Sequence, residues 1–475
     1  MNDRRPTYEE LEAKVEALEE QVRRLTELLE KTTRAGKRQA APFAKGEPKP
    51  NPKRPGRKSG KDHGTHYRRE PVPDAELDEI IDVPLPASCP HCQSDRMTEF
   101  ETPATQYQVE IPQQVIHRRI DIRLGCCEDC GRAVRGRHEL QTSNATGAAG
   151  VMFGPNLQAA IAILNKEVGL THGKIQRAFK ILFGLTIGRA SSCRSLLRTA
   201  QKAAPAMDEI RQEVRGSPVV KLDETGWRVN GQSRWLHVLI GPRAVLYEID
   251  GRGRDVAKRI IGSDYPETMI HDGYSAYDGF VEARHQQCVF HLLKRCRGLL
   301  EKATRGAVRF PRAVESLLRT GLSLRDRYQS EEVTSHGLKV MAGRPTNQLR
   351  DLALPIKSNA DNERFALFLW KHATEVFEFL RQPDAVSATN NEAEFELRFN
   401  VIARKLSGGN RNDSVRQAQQ TLPSIIRTCR KNEIDPFTWL YQLLTSPTNS
   451  KHTKAHHTVN WYDFLIHVKY CTISL

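Results

Sequence analysis

The chain has 475 residues, with 72 Lys or Arg against 57 Asp or Glu, a formal net charge of +15. That length allows roughly two to four domains and at least one large core, and the sign of the charge points to nucleic acid or an anionic membrane surface as partner. No apolar run reaches the roughly 18 residues of a membrane-spanning helix, and the charged start, MNDRRPTYEELEAK, lacks a secretory signal core. Ten cysteines are too sparse for a disulfide scaffold, and four stand in C-x-x-C pairs, which points to metal binding. The expectation is a soluble, cytoplasmic, multidomain protein that meets nucleic acid.

Residues 1–31 carry a heptad, with Val15, Val22 and Leu29 at a and Leu11, Leu18 and Leu25 at d. Mostly β-branched a positions with Leu at d favour a parallel two-stranded coiled coil, hence self-association. Residues 32–75 form a basic linker; within 32–70, twelve Lys or Arg against three acids supply +9 of the total charge. Five prolines and few large apolar side chains leave that stretch without a core, so the sequence predicts a disordered arm able to neutralise phosphates.

Residues 76–140 read as a zinc ribbon. Cys89 and Cys92 (CPHC) and Cys127 and Cys130 (in CCEDC) form two knuckles, and each presents two thiolates from one tight turn. Cys126 is an alternative to Cys127. Between the knuckles, QYQVEI and VIHRRIDIRLG alternate in strand fashion through Ile116, Ile120, Ile122 and Leu124. Residues 150–205 predict short helices over PNLQAAIAILNKE, THGKIQRAFKILFG and GRASSCRSLLRTA. Broken at Gly184, the latter two fit a helix-turn-helix or a plain helical hairpin equally well.

Over residues 215–445 the pattern predicts a mixed-sheet α/β domain with a helical insertion at about 292–385. PVVKLDE is a strand ending on Asp223. SRWLHVLIG and AVLYEID follow as strands, RDVAKRIIG as a helix, TMIHDGY as a strand ending at Asp272, and HQQCVFHLL as a strand entering a helix. Cys288 and His291 form a C-x-x-H pair, too small for a zinc site, read as packing or part of the active-site surround. Trp227, Trp235 and Trp370 are candidates for base stacking, with Trp235 placed rather in the core. Glu392, Glu394 and Glu396 crowd a helix whose apolar stripe, Phe395, Phe399, Ile402 and Leu406, is expected to be buried. Residues 446–475 form a polar tail with His452, His456 and His457, then an aromatic segment without a functional reading.

Asp223 and Asp272 end strands that one sheet can bring together, and a third carboxylate from a helix completes an all-oxygen site for Mg²⁺ or Mn²⁺. With 57 acids in the chain, spacing alone does not single out a trio.

In this order, the heptad, KRPGRKSG, the C-x-x-C pairs, LDETGWRV, HDGYSAYDGF, CVFHLLKR, FLRQP, ATNNEAEFELR, ARKLSGGNR and RTCRKNEIDPFTWL resemble the insertion-sequence-66 family of bacterial DDE-type transposases, over roughly residues 8–445. The resemblance implies an RNase H-like core interrupted by a helical insertion. It also implies a catalytic, metal-binding triad of Asp223, Asp272 and Glu394, the glutamate of the NN-x-A-E motif. The expected function is cleavage of element ends and joining of the 3′-hydroxyl to target DNA by two-metal phosphoryl transfer. Partners would be the element ends and target duplex, a second protomer, and accessory proteins of the same element, in the bacterial nucleoid. In the family an arginine is usual where Phe395 stands, and a small residue where Glu396 stands. Two other readings of the residues are a DNA-binding regulator with an inert core and an RNase H-like nuclease without joining activity.

Overall fold

The protein was analysed as a computed structural model, which describes residues 15–26, 73, 75, 77, 114–142 and 153–446. Cys89, Cys92, the basic stretch 32–70, Leu11, Leu29 and the tail beyond 446 lie outside the described residues. Among the described residues, no helix is long and apolar enough to cross a membrane.

Residues 15–26 are helical (α1), with Val15, Leu18, Val22 and Leu25 each more than half exposed. The predicted strand leading into the second cysteine knuckle is much shorter than its alternation suggested. Only β1 (Leu124–Cys126) pairs, antiparallel, with β2 (Ala133–Arg135). Residues 114–123 form no strand, and Ile116 and Ile120 are exposed, so alternation there does not reflect a buried face.

Three of the expected helices form: α2 (Pro155–Lys166), α3 (His172–Phe183) and α4 (Arg189–Lys202). Thr171 caps α3 by accepting from the Lys174 amide, and Gly184 ends it in the left-handed conformation that favours glycine. Helix α5 (Ala204–Arg215), unpredicted, leads into the sheet.

The strands are β3 (Val219–Val229), β4 (Gln232–Ile240), β5 (Val245–Asp250), β6 (Thr268–His271) and β7 (Arg284–Gln287), in the order β5-β4-β3-β6-β7. The first three pair antiparallel, and β6 and β7 add parallel to β3, giving the predicted mixed sheet. Helix α6 (Arg254–Ile261) lies between β5 and β6 in sequence.

Strand β3 does not stop at Asp223 but continues six residues further, because β4 pairs with it from Lys221 to Val229. The reversal is Asn230-Gly231, both at positive φ (50° and 74°), a two-residue hairpin turn that suits the strand twist. Asp223 is therefore held in mid-strand, paired with Val238 of β4, a stiffer mount than a strand end.

Side chains alternate between faces of the sheet. Val220 and Leu222 pack into one core with Leu239, Leu246 and Met269, covered by residues of α2, α4, α5 and α6. Lys221 and Asp223 point to the opposite face, shared by Trp227, Val238, Ile240 and Tyr247. That second face is covered by α12 (Asn391–Ser407) through Ala393 and Leu397. Between β7 and α12 run α7 (Val289–Lys302), α8 (Arg309–Gln329), α9 (Ser335–Ala353), α10 (Ala360–Lys371) and α11 (Glu378–Arg381), the expected helical insertion, with its own core around Phe365, Phe377 and Phe379.

Helix α13 (Asp413–Lys431) closes the open edge of β5, and α14 (Pro436–Thr445) follows it. Buried hydroxyls replace the missing strand: Thr428 Oγ1 accepts from the Val245 amide at 3.0 Å and Ser424 Oγ from the Tyr247 amide at 2.9 Å. An edge strand's backbone groups need such partners when no solvent reaches them.

Candidate active site

Asp223 stands two residues beyond the last β3–β6 pair, Lys221↔Ile270, and Asp272 directly follows β6, close enough for its charge to act on Asp223. Asp272 follows the last residue of β6, and Gly273 then takes φ +91°, where a Cβ would meet Phe368 at 2.8 Å and Gln287 at 2.9 Å. Glycine alone fits that turn. Each aspartate is oriented by backbone: Asp223 Oδ1 accepts from the Glu224 amide at 2.9 Å, and Asp272 Oδ1 from the Tyr274 amide at 3.0 Å.

Burial pushes the Asp223 carboxyl up to about 7; the Glu224 amide opposes this, while the charges of Asp272, Glu224 and Glu394 add to it. The two sequence-predicted aspartates and Glu394 thus share one electrostatic neighbourhood. Among the described residues, no lysine or arginine forms an ion pair with any of the three. Their ligand oxygens do not all lie within 4.8 Å of one another; among the described residues that closeness is met by His271, His285 and Glu375.

The three clustered glutamates have three different fates. Glu392 is tied by Lys221 and Lys431, each at 2.6 Å; burial works against its charge, but the two lysines hold its pKa below the ordinary carboxylate value. Glu396 is buried, held by Arg427 through two hydrogen bonds at 2.6 and 2.7 Å and by the Tyr247 hydroxyl at 2.7 Å. Glu394 is half-buried, and its partner among the described residues is His291, 3.2 Å from Nε2 to Oε1. Glu396 has its own counter-ion in Arg427, whose guanidinium also lies 5.8 Å from the Phe395 ring.

The expected stripe on α12 is corrected by the structure. Phe395, Ile402 and Leu406 are exposed, and the buried positions are Ala393, Glu396, Leu397 and Asn400. Apolar character misjudged the phase because two of the buried residues are polar with satisfied partners: Asn400 accepts from Gln419, which also holds Lys166.

Several positioning groups were not identified from sequence. Asn390, fully buried, donates from Nδ2 to the Leu222 carbonyl, next to Asp223, and its amide donates to Cys288 Sγ at 3.2 Å. The Cys288 amide donates to the His271 carbonyl, next to Asp272, at 2.8 Å, and the Val289 amide to Ala388 at 2.9 Å. Cys288 thereby joins β6, β7 and the start of α12, so the packing half of the C-x-x-H reading belongs to Cys288. The double asparagine and C-x-x-H motifs were the available signals. Glu224, on the opposite face, is nearly sealed and bound by Arg252 and the Tyr277 hydroxyl.

The aromatic candidates separate too. Trp227 is buried, its Nε1 donating to Asn410 at 2.6 Å, so it belongs to the core. The turn at Gly408 and Gly409 lets Asn410 bridge back to β3, which gives the SGGN stretch a structural reason. Trp235 carries the Arg252 guanidinium 4.0 Å above its ring, and Trp370 is exposed.

A further cluster, His271, His285 and Glu375, lies behind Asp272. Its nitrogens are already engaged: the Gly273 amide donates to His271 Nδ1, His271 Nε2 faces His285 Nδ1 at 2.9 Å, and His285 Nε2 faces the Phe280 carbonyl. Since a carbonyl only accepts and an amide only donates, both rings are neutral with the proton on Nε2, and the contact is a hydrogen-bond chain. Burial holds His271 down to about 3, in keeping with that neutrality.

In the cysteine knuckle, Gly131 turns at φ +65° and its amide donates to Cys127 carbonyl oxygen at 2.8 Å. The Cys127 thiol is lowered chiefly by the Cys130 amide, then by the Cys130 side chain and the Asp129 amide.

Two comparisons bear on this arrangement. A curated relative, the uncharacterized protein y4hP of Sinorhizobium fredii (strain NBRC 101917 / NGR234), is 23% identical over 449 residues, covering 83% of this chain and 76% of the relative. The family model described as Transposase IS66 family matches residues 150–418, which include all three carboxylates and the whole sheet. With more than half of its length matched, the chain belongs to the IS66 transposase family.

Proposed function

We propose that this transposase cuts the ends of its element and joins each liberated 3′-hydroxyl to target DNA, at a site formed by Asp223, Asp272 and Glu394. The observation that carries the reading is the sorting of the acids. Asp223 feels both Asp272 and Glu394, whereas Glu392 and Glu396 are neutralised by lysines and an arginine.

Asp223, Asp272 and Glu394 would hold Mg²⁺ or Mn²⁺, which when bound supplies Lewis-acid activation of the attacking and leaving oxygens. The chain's own contribution is positional. Strand β3 and the Gly273 turn fix the two aspartates, and Asn390 pins the first turn of α12 against β3, so that Glu394 approaches from above. Water attacks the scissile phosphate first; the 3′-hydroxyl then attacks target DNA in line, with no covalent link to protein. The mixed sheet with its insertion fits the RNase H-like core that the family implies.

In this reading the knuckle of Cys127 and Cys130 holds structural Zn²⁺ with Cys89 and Cys92, and the exposed apolar stripe of α1 pairs two protomers. The basic arm and the α3–α4 pair contribute to binding element ends. Joining separates this function from a nuclease. Pre-cut ends bearing a 3′-hydroxyl should insert into plasmid DNA and 3′-dideoxy ends should not; insertion of neither, with cleavage intact, would leave a nuclease.

A further inference from the structure

We propose that His291 is a positioning residue that fixes the Glu394 carboxylate for metal binding; the inference rests on the site reading above. His291 Nε2 lies 3.2 Å from Glu394 Oε1, and His291 Nδ1 is buried with no hydrogen-bond partner. Nε2 is therefore the ring nitrogen that meets Glu394, while Nδ1 faces no partner among the described residues.

The consequence separates Glu394 from its neighbours. Glu392 and Glu396 are held by cations, which orient a carboxylate but also cancel its charge. At Glu394 no lysine or arginine takes that place among the described residues, and the His291 contact falls on Oε1. The mount itself is firm: α7 begins at Val289, whose amide is bonded to Ala388, and Cys288 is bonded to both His271 and Asn390. His291, one turn into α7, is therefore fixed relative to β6 and to the start of α12. Hydrogen bonds of this kind to ligating groups commonly set metal affinity.

The test is Mn²⁺ binding by the full-length protein, measured from the paramagnetic resonance of free Mn²⁺, independently of DNA chemistry. Glu394→Gln should lose tight binding, and His291→Ala should weaken it by about 10-fold or more. His291→Gln places an amide nitrogen where Nε2 stood and should return binding to near wild type. His291→Asn, whose amide overlays Nδ1 instead, should stay weak at similar bulk. If His291→Ala or His291→Asn binds like wild type while Glu394→Gln does not, the positioning role is overturned and the site reading stands. A His291→Gln variant as weak as His291→Asn also overturns it. Binding unaffected by Glu394→Gln overturns the site reading itself, and the inference with it.

Discussion

Glu396 and Glu394 are two residues apart on one helix, and the structure assigns them opposite consequences on mutation. Removing the Glu396 side chain breaks two part-buried hydrogen bonds from Arg427 and a buried one from the Tyr247 hydroxyl, all at 2.6–2.7 Å. Breaking a buried ion pair from one side costs about 3–5 kcal/mol, because the remaining charge is left without its partner. Here the cost is reduced, since the Arg427 side chain keeps 22% of its exposure and retains Glu167 at 3.3 Å. About 2–3 kcal/mol is the expected loss for Glu396→Ala, a fall of about 5 °C in melting temperature for a folded unit of this size. Thermal unfolding followed by tryptophan fluorescence would read it, with Mn²⁺ binding measured on the same samples. Glu396→Ala should melt early and still bind Mn²⁺; Glu394→Gln should melt near wild type and bind poorly. Equal melting of Glu396→Ala and wild type would refute the buried-pair reasoning, and a large loss of stability in Glu394→Gln would refute the assignment of Glu394 as the unneutralised acid.

Three further outcomes follow from the geometry. In chelator, the raised Asp223 pKa makes stability greatest below its unfolded value of 3.8 and lowers it as pH climbs to about 7, by up to ~4 kcal/mol. Asp223→Asn should therefore flatten the melting profile between pH 4.5 and 8, and a parallel profile would contradict the burial of that carboxyl. Gly273→Ala forces a Cβ onto Phe368 and Gln287 at a positive φ, so it should lower both DNA cleavage and melting temperature; unchanged activity would show that the turn after Asp272 is not needed. Cys127→Ser should remove about one zinc per chain by metal analysis, whereas Cys126→Ser should retain it, because Cys127 stands in the C-x-x-C pair and its thiol is lowered by the Cys130 and Asp129 amides.

Much of the fold was legible because its signals are local. The strands around Asp223 and Asp272 and the helices α2, α3 and α4 follow from apolar runs, caps and glycines. The length of β3 is also signalled locally, by the Asn230-Gly231 hairpin pair, which carries the strand past Asp223. The phase of α12 was not legible. Its buried face includes Glu396 and Asn400, whose partners Arg427, Tyr247 and Gln419 lie on other elements, and no periodicity records a distant counter-ion. The same blindness affected the choice of glutamate. Only the tertiary placement of Lys221, Lys431 and Arg427 distinguishes the neutralised acids from Glu394, which the family motif had indicated.

The central claim is tested most directly by cleavage and joining of the element's own ends in Mg²⁺, comparing single variants of five acids in one assay. Asp223→Asn, Asp272→Asn and Glu394→Gln should each abolish both reactions while retaining binding to the ends, and Glu392→Gln and Glu396→Gln should still cut and join. Full activity in any of the first three, or loss confined to Glu392→Gln or Glu396→Gln, would contradict the account.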